Sequence, residues 1–372
     1  MAERRSLGPL SPGATIGILG GGQLGRMLAM AAAQLGMQCH IYCPDPDSPA
    51  FEVAGLRTVA SYEDEEALAV FARSVDVVTY EFENVPAATA ALLARHVTVA
   101  PDPAILEITQ DRLTEKTFIR KQGLHVANFA PAASPAELEA AAGHIGYPSV
   151  LKTRRFGYDG KGQALIHEQG GLAAAWAAIA ARPAILESFV RFSKELSVIV
   201  ARGSDGALVC FDVAENRHEN HILRSSTVPA PIAATTEAAA REIGRTLAEA
   251  LSYVGVLAVE LFLVDMPAAS RLLVNEIAPR VHNSGHWTMD ACCLSQFDLH
   301  IRAIAGWPLP PPLRHSDVVM TNLLGTEIAD SAALAADPGS AIHLYGKKLL
   351  RPGRKMGHVN RLKPLSDVDP QA

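Results

Sequence analysis

Apolar residues in the first hundred positions fall in short runs, at 15–19, 40–43, 75–80 and 97–99, each followed by Gly, Pro or polar residues. Such runs predict strands. Residues 24–37 have helical composition and end near Gly36. Ser61-x-x-Asp64 reads as a capping box for a helix to about Arg73, with Glu63, Asp64, Glu65 and Glu66 at the positive end of its dipole. Strands alternating with helices predict a βαβ beginning. Further on, residues 111–122 form a helix with Gly123 as its stop. Ser134, Pro135 and Glu137 occupy the N-cap, N1 and N3 positions of a second helix, which stops at Gly146. A hairpin follows, with strands at 149–153 and from Gln163 to 166, and then an alanine-rich helix at 172–181. Together residues 129–186 predict a small α+β unit. Strands at 196–201 and 208–213, a loop at 215–223 and an amphipathic helix at 236–253 come next. Two apolar strands, 255–264 and 272–277, are each interrupted by a carboxylate, Glu260 or Glu276.

Composition narrows the class. The 372 residues suffice for two or three domains, and 49% hydrophobic content with scattered charge means a globular chain. No apolar run reaches the ~18 residues of a membrane span. Residues 1–13 have no apolar signal region and read as a loose polar lead-in. A net charge of −6 argues against general nucleic-acid binding. Five cysteines without a C-x-x-C pair suggest reduced thiols, packed as small core residues, in the cytoplasm.

Several clusters carry chemistry. Gly20-Gly21-Gly22-Gln23-Leu24-Gly25 matches the dinucleotide fingerprint G-x-G-x-x-G between strand and helix, with Asp45 and Asp47 near the acidic position. An NAD oxidoreductase is therefore one reading, although the motif itself shows only backbone approach at a helix N-terminus. Glu81-Phe82-Glu83-Asn84 puts carboxylates at a strand's C-terminal end, where open α/β sheets place ligands. The hairpin loop at 154–161 combines Gly157 and Gly160 with Lys152, Arg154, Arg155 and Lys161, as a triphosphate lid or as an ordinary solvated tip. The helix at 111–122 carries Arg112, Lys116, Arg120 and Lys121, most of them expected to face solvent. An unpaired carboxylate inside an apolar strand is costly, and a cation removes the penalty. Hairpin pairing sets Glu260 opposite or diagonal to Asn275 and Glu276, ~5–8 Å away, which suits magnesium. Arg280, His282, Asn283 and His286 follow directly. His218 and His221 have an H-x-x-H spacing, a weak zinc signal without a third ligand nearby. Pro308 to Pro312 reads as a hinge-like linker. The tail has seven Lys or Arg between Lys347 and Lys363 and no acid, which makes a local anion patch.

A Lys ending a Y-P-x-V-x-K strand, a glycine loop, E-x-F-V and two carboxylate-bearing strands together resemble the ATP-grasp superfamily. More narrowly, G-Y-D-G-K-G-Q (from Gly157), N-E-I-A-P-R-V-H-N-S-G-H-W (from Asn275) and R-P-G-R-K-M-G-H (from Arg351) are similar to the 5-(carboxyamino)imidazole ribonucleotide synthases. The resemblance covers about residues 15–362. It implies an α/β and α+β chain: a Rossmann-like pre-ATP-grasp domain at 14–108, an ATP-grasp domain at 109–309 with its lid at 129–186, and a small C-terminal domain at 310–372. It implies ATP-dependent carboxylation of 5-aminoimidazole ribonucleotide with bicarbonate through carboxyphosphate. ATP would meet Arg112, Lys152, Gly157, Tyr158, Asp159, Gly160, Lys161, Gly162, Gln163, Glu187, Ser188, Phe189, Val190, Glu195, His218, Asn275 and Glu276. Magnesium, or manganese, would sit on Glu260 and Glu276. The ribonucleotide would lie against Gln23, Leu24, Glu81, Lys347, Arg354 and Lys355, and the chemistry would fall to Tyr158, Asp159, Lys161, Arg280, His282 and Lys355. Asp159 and His282 both stand as proton acceptors. Lys161 replaces the Arg of many relatives, keeping charge but losing the bidentate fork. A homodimer without nucleic-acid or membrane partners is implied. Formate-dependent glycinamide ribonucleotide transformylase, an NAD oxidoreductase and a non-catalytic ATP-binding regulator are the alternatives.

Overall fold

The computed structural model describes residues 8–157, 160–266 and 270–366. Its first sheet has five parallel strands in the order Leu56–Thr58, Gln38–Tyr42, Thr15–Leu19, Val77–Tyr80, Thr98–Val99. Val77–Tyr80 is buried along its whole length. A parallel strand covered on both faces is uniformly apolar rather than alternating. The strand order reverses at Thr15–Leu19, so the loops after it and after Val77–Tyr80 share a crevice. The helix expected from Ser61 is Glu65–Arg73 instead. Asp64 is its N-cap, accepting from the Ala67 N–H at 3.0 Å, while the Ser61 hydroxyl takes the Glu63 N–H in the preceding turn.

The second sheet has four antiparallel strands, Phe129–Ala132, Ala184–Ser188, Ser149–Thr153 and Gln163–Ile166 in that order, with the helices Pro135–Ile145 and Leu172–Ala178 packed on it. Ser134 caps the first helix through the Glu137 N–H, and Gly146 ends it at φ +79°.

The third sheet has nine antiparallel strands. Arg271–Ala278, Gly255–Val264, Lys194–Arg202, Ala214–Glu219 and Ile222–Val228 lie side by side, with Leu208–Cys210 paired off Lys194–Arg202. Residues 215–223, expected as a loop, are a tight hairpin. Asn220 and His221 form its turn at φ +50° and +64°, the left-handed pair that two-residue hairpins require. Apolar alternation is missing there because Asn216 and His218 take the positions where a core-facing strand would carry apolar side chains. The C-terminal strands Asp317–Leu324, Lys355–Lys363 and Ser340–Leu344 continue this same sheet past Ile222–Val228.

Helix Gln296–Ile304 and the residues after it tie the N-terminal part of the chain to the third sheet. The fully buried His300, on the helix Gln296–Ile304, bonds Thr79 through Nε2 at 2.8 Å and accepts the Val256 N–H at 3.1 Å. Leu10 donates to the Ala305 carbonyl at 2.9 Å and accepts from the Trp307 indole at 2.8 Å. The described part of the lead-in is therefore tied down rather than loose. No described helix is long and apolar enough to cross a membrane.

Candidate active site

Strand register builds the floor of the site. Ser197 faces Glu260, Glu195 faces Asn216, and Glu260 faces Glu276. Alternation then puts Glu195, Asn216, Glu260 and Glu276 on one face of the large sheet. Leu261 pairs with Val274, so Asn275 is an extra residue, a bulge that breaks the ladder beside the two carboxylates. The helix Arg112–Lys121 takes up the backbone around the bulge. Lys116 donates to the Asn275 carbonyl at 3.0 Å, and the Ile277 N–H donates to Glu115 at 2.7 Å. Arg112 reaches Glu276 at 3.2 Å.

This helix overturns one expectation. Arg120 and Lys121 do face solvent, but Lys116 is 1% exposed and Glu115 2%. Positions 112, 115, 116 and 119 share one helical face, and the apolar Ile119 marks that face as the buried one. That phase was the available signal. Burial, followed by the nearby Glu276, pushes the Glu115 carboxyl up to about 8.

The lid strands bring Lys152 to the same place. Val150 lies opposite Glu187, so Lys152 is its diagonal neighbour, and the two pair at 2.8 Å. Lys116 approaches the other Glu187 oxygen at 3.3 Å. Burial works against the charge on Glu187, but Lys116 and then Lys152 outweigh it and hold the carboxyl at about 2. The strand ends at Ser188, and Phe189 and Val190 run on as a connection with Phe189 exposed. Arg112 also donates to the Gly157 carbonyl at 3.3 Å. Gly160, at φ +77°, lies against the His221 ring, and Gln163 meets His221 at 3.4 Å. Gly162, at φ +70°, lies against Thr153. Lys161 belongs to this loop; Tyr158 and Asp159 lie outside the described residues. Arg154 grips Asp111 at 2.8 and 3.0 Å, and Arg155 follows at 3.5 Å. These two charges, expected to serve an anion, are engaged by the helix N-cap instead.

His218 pairs with Glu195, and although burial disfavours its charge, that carboxylate raises its pKa. His221 contacts the glycine loop, so the two histidines of the H-x-x-H spacing turn to different partners.

The third wall follows strand Arg271–Ala278. Arg280 pairs with Glu83 at 2.6 Å, a partner that sequence reasoning did not assign. His282 bonds Ser284 at 2.8 Å through Nδ1, and its Nε2 is 3.4 Å from Glu260. Gln296 pins the His282 backbone from both sides, at 2.7 and 2.8 Å. Burial, then Arg280 and Lys355, push His282 well below the usual range, so its ring is neutral at pH 7. Lys347 donates to the Lys355 carbonyl at 2.8 Å, and Arg354 to the Leu349 carbonyl at 2.9 Å. Lys347 also bears on Glu81, and Lys355 on Glu260 and His282. Across the crevice Gln23 opens the helix Gln23–Gln34, Leu24 is buried, and Glu81 accepts the Gly22 N–H at 2.8 Å. The structure thus brings together residues from the first sheet, the large sheet and the tail.

Burial and the facing Glu276 raise the Glu260 pKa, whereas at Glu276 burial is outweighed by Arg112, Lys152 and Lys116 together, which lower its pKa. Two facing carboxylates, one of them reluctant to ionise, fit a divalent cation. Among the described residues no group of three or more His, Cys, Asp or Glu could hold a metal by itself. Two carboxylates completed by phosphate and water oxygens suit magnesium better than zinc.

A relative from Brucella melitensis, described as N5-carboxyaminoimidazole ribonucleotide synthase, is 52% identical over 95% of this chain and 98% of its own. This chain belongs to the N5-carboxyaminoimidazole ribonucleotide synthase family. Family models agree along its length: a ribonucleotide synthetase preATP-grasp domain at 13–110, an ATP-grasp domain at 117–297 and a phosphoribosylaminoimidazole carboxylase C-terminal domain at 318–367. The crystal structure of an ADP complex of an N5-carboxyaminoimidazole ribonucleotide synthetase matches with a TM-score of 0.92 and 43% identity, covering 98% of this chain and 96% of that one. The Aspergillus clavatus enzyme in complex with ADP and 5-aminoimidazole ribonucleotide matches with a TM-score of 0.88 and 32% identity, over 95% and 94% of the two chains. The family is one of ATP-grasp ligases, which sets aside the NAD reading of the glycine motif.

Proposed function

We propose that this chain carboxylates 5-aminoimidazole ribonucleotide with ATP and bicarbonate, yielding N5-carboxyaminoimidazole ribonucleotide, ADP and phosphate in purine biosynthesis. The observation that carries this reading is the meeting of Glu260 and Glu276 with Arg112 and Lys152 on one side and Arg280, His282 and Lys355 on the other. Arg112 and Lys152 take the ATP phosphates, and Gly157, Gly160, Lys161, Gly162 and Gln163 cover them. Glu187, Ser188, Phe189 and Val190 border the adenine. Glu195 and His218 lie toward the ribose, and Asn275 joins Glu276 below the phosphates. Magnesium, or manganese, on Glu260 and Glu276 would supply charge neutralisation for phosphoryl transfer, which is mostly positioning and electrostatics.

Bicarbonate oxygen takes the γ-phosphoryl group, giving carboxyphosphate, which breaks down to carbon dioxide and phosphate. The exocyclic amine adds to carbon dioxide and loses one proton. Arg280 offers a planar fork to bicarbonate. The neutral His282 ring is able to accept the proton. Tyr158 and Asp159 are assigned to the same chemistry from the family pattern. Lys347, Arg354 and Lys355 hold the ribose phosphate, and Gln23, Leu24 and Glu81 border the other edge of the ribonucleotide. The five free cysteines suit a reducing compartment. We place the enzyme in the cytoplasm, as a homodimer on family grounds.

The test is phosphate release from magnesium-ATP in carbon-dioxide-depleted buffer. We expect release to need both the ribonucleotide and bicarbonate. Release that follows the ribonucleotide but ignores bicarbonate overturns the acceptor assignment.

A further inference from the structure

Asp111 is a buried carboxylate, 5% exposed, that stands where the helix Arg112–Lys121 meets the start of the glycine loop. Its Oδ1 caps the helix, accepting the Leu113 N–H at 3.0 Å and the Thr114 N–H at 3.3 Å. The same oxygen accepts Arg154 Nε at 3.0 Å, while Oδ2 faces Arg154 Nη2 at 2.8 Å and Arg155 Nε at 3.5 Å. These contacts occupy the roughly four lone-pair sites of a carboxylate, so the group is an anchor within the protein. Capping alone needs no charge, since Ser, Thr or Asn serves as well. Two guanidiniums on one carboxylate do need it. Burial opposes the charge, but Arg154 and the helix amides outweigh burial and lower the Asp111 pKa.

The backbone reinforces the same junction. The Arg112 N–H donates to the Arg154 carbonyl at 2.9 Å, and the Arg112 guanidinium to the Gly157 carbonyl at 3.3 Å. Lys152, two residues before Arg154, also ends on this helix, through Glu187 and Lys116. The start of the loop is therefore held to one helix at both cations.

We propose that Asp111 is a positioning residue for the nucleotide. It fastens the glycine loop to the helix that carries Arg112, with Arg154 and Arg155 as the loop's anchors and not as phosphate ligands. The loop is then ordered before the nucleotide arrives, and binding does not have to supply that ordering. The nucleotide half of this inference rests on the proposed function; the fastening does not.

Asp111→Asn keeps the cap and the shape and removes the charge, and Arg154→Met removes the fork from the other side. Limited trypsin digestion of the unliganded protein reads the fastening. In each variant cleavage after Arg155 should be about tenfold faster than in the wild type, with the melting temperature within a few degrees. Wild-type cleavage overturns the proposal. So does faster cleavage throughout the chain with a matching fall in melting temperature, because the role is then merely structural. Calorimetric titration with magnesium-ATP, without ribonucleotide or bicarbonate, reads the nucleotide half. Asp111→Asn and Arg154→Met should each weaken binding about tenfold, and the double variant no more than either alone. Unchanged or tighter binding in Asp111→Asn overturns the proposal. A further loss from Arg154→Met in the Asp111→Asn background overturns it too, because Arg154 would then touch the phosphates itself. No acceptor is present in either assay, so failure of the bicarbonate reading leaves these outcomes as they stand.

Discussion

Lys116 shows how a single residue can be misjudged. It stands among basic neighbours on a helix, yet it is buried between Glu187 and the Asn275 carbonyl. Lys116→Met should cost about 3 kcal/mol in denaturant unfolding, as expected for breaking a buried pair. Lys121→Ala, at an exposed position, should stay within about 0.5 kcal/mol. Equal costs would mean that Lys116 carries no buried charge. Arg280, Glu276 and Lys152 were legible because each interrupts an apolar strand or follows one. For Glu115 and Lys116 only the phase shared with Ile119 was legible, because their partners arrive from strands more than sixty residues away. Arg280→Ala should lower kcat/KM for bicarbonate at least a hundredfold, and full bicarbonate-dependent turnover would remove it from the chemistry. His300 offers a pH test. Burial lowers its pKa to about 3, against about 6.5 in the unfolded chain. The unfolded state therefore binds the proton first, so the stability is present above pH 6.5 and is lost as the pH falls toward 3. Between pH 7 and 5 the wild type should lose about 2 kcal/mol more than His300→Gln. Identical slopes would contradict the neutral, buried imidazole.

Among the elements, most strands and the two well-capped helices could be read from the chain, because apolar runs and stop residues are local signals. The polar hairpin over residues 214–228 could not, since the buried Asn216 and Ser226 interrupt its apolar positions Ala214, Leu223 and Val228. Its turn also holds the glycine loop. A Cβ on Gly160 would stand 2.6 Å from the His221 ring, at a φ of +77° that alanine resists. Gly160→Ala should therefore lower kcat/KM for ATP at least tenfold while leaving the melting temperature within a few degrees. Unchanged ATP kinetics would show that the loop need not close on this hairpin.

For the molecule as a whole, the three-part organisation was visible in motif order, but the joining of its sheets was not. The last strands complete the same sheet that carries Glu260 and Glu276, through pairing of Ile222–Val228 with Asp317–Leu324. Charges from the first sheet, the large sheet and the tail converge only once that sheet is assembled. Activation of bicarbonate by ATP can be followed directly with one isotope experiment. With 18O-bicarbonate, magnesium-ATP and 5-aminoimidazole ribonucleotide, the phosphate released should carry one bicarbonate-derived 18O per turnover, because the carboxyphosphate bridge oxygen leaves with phosphorus. Ribonucleotide-dependent phosphate release without that label would contradict the carboxyphosphate route.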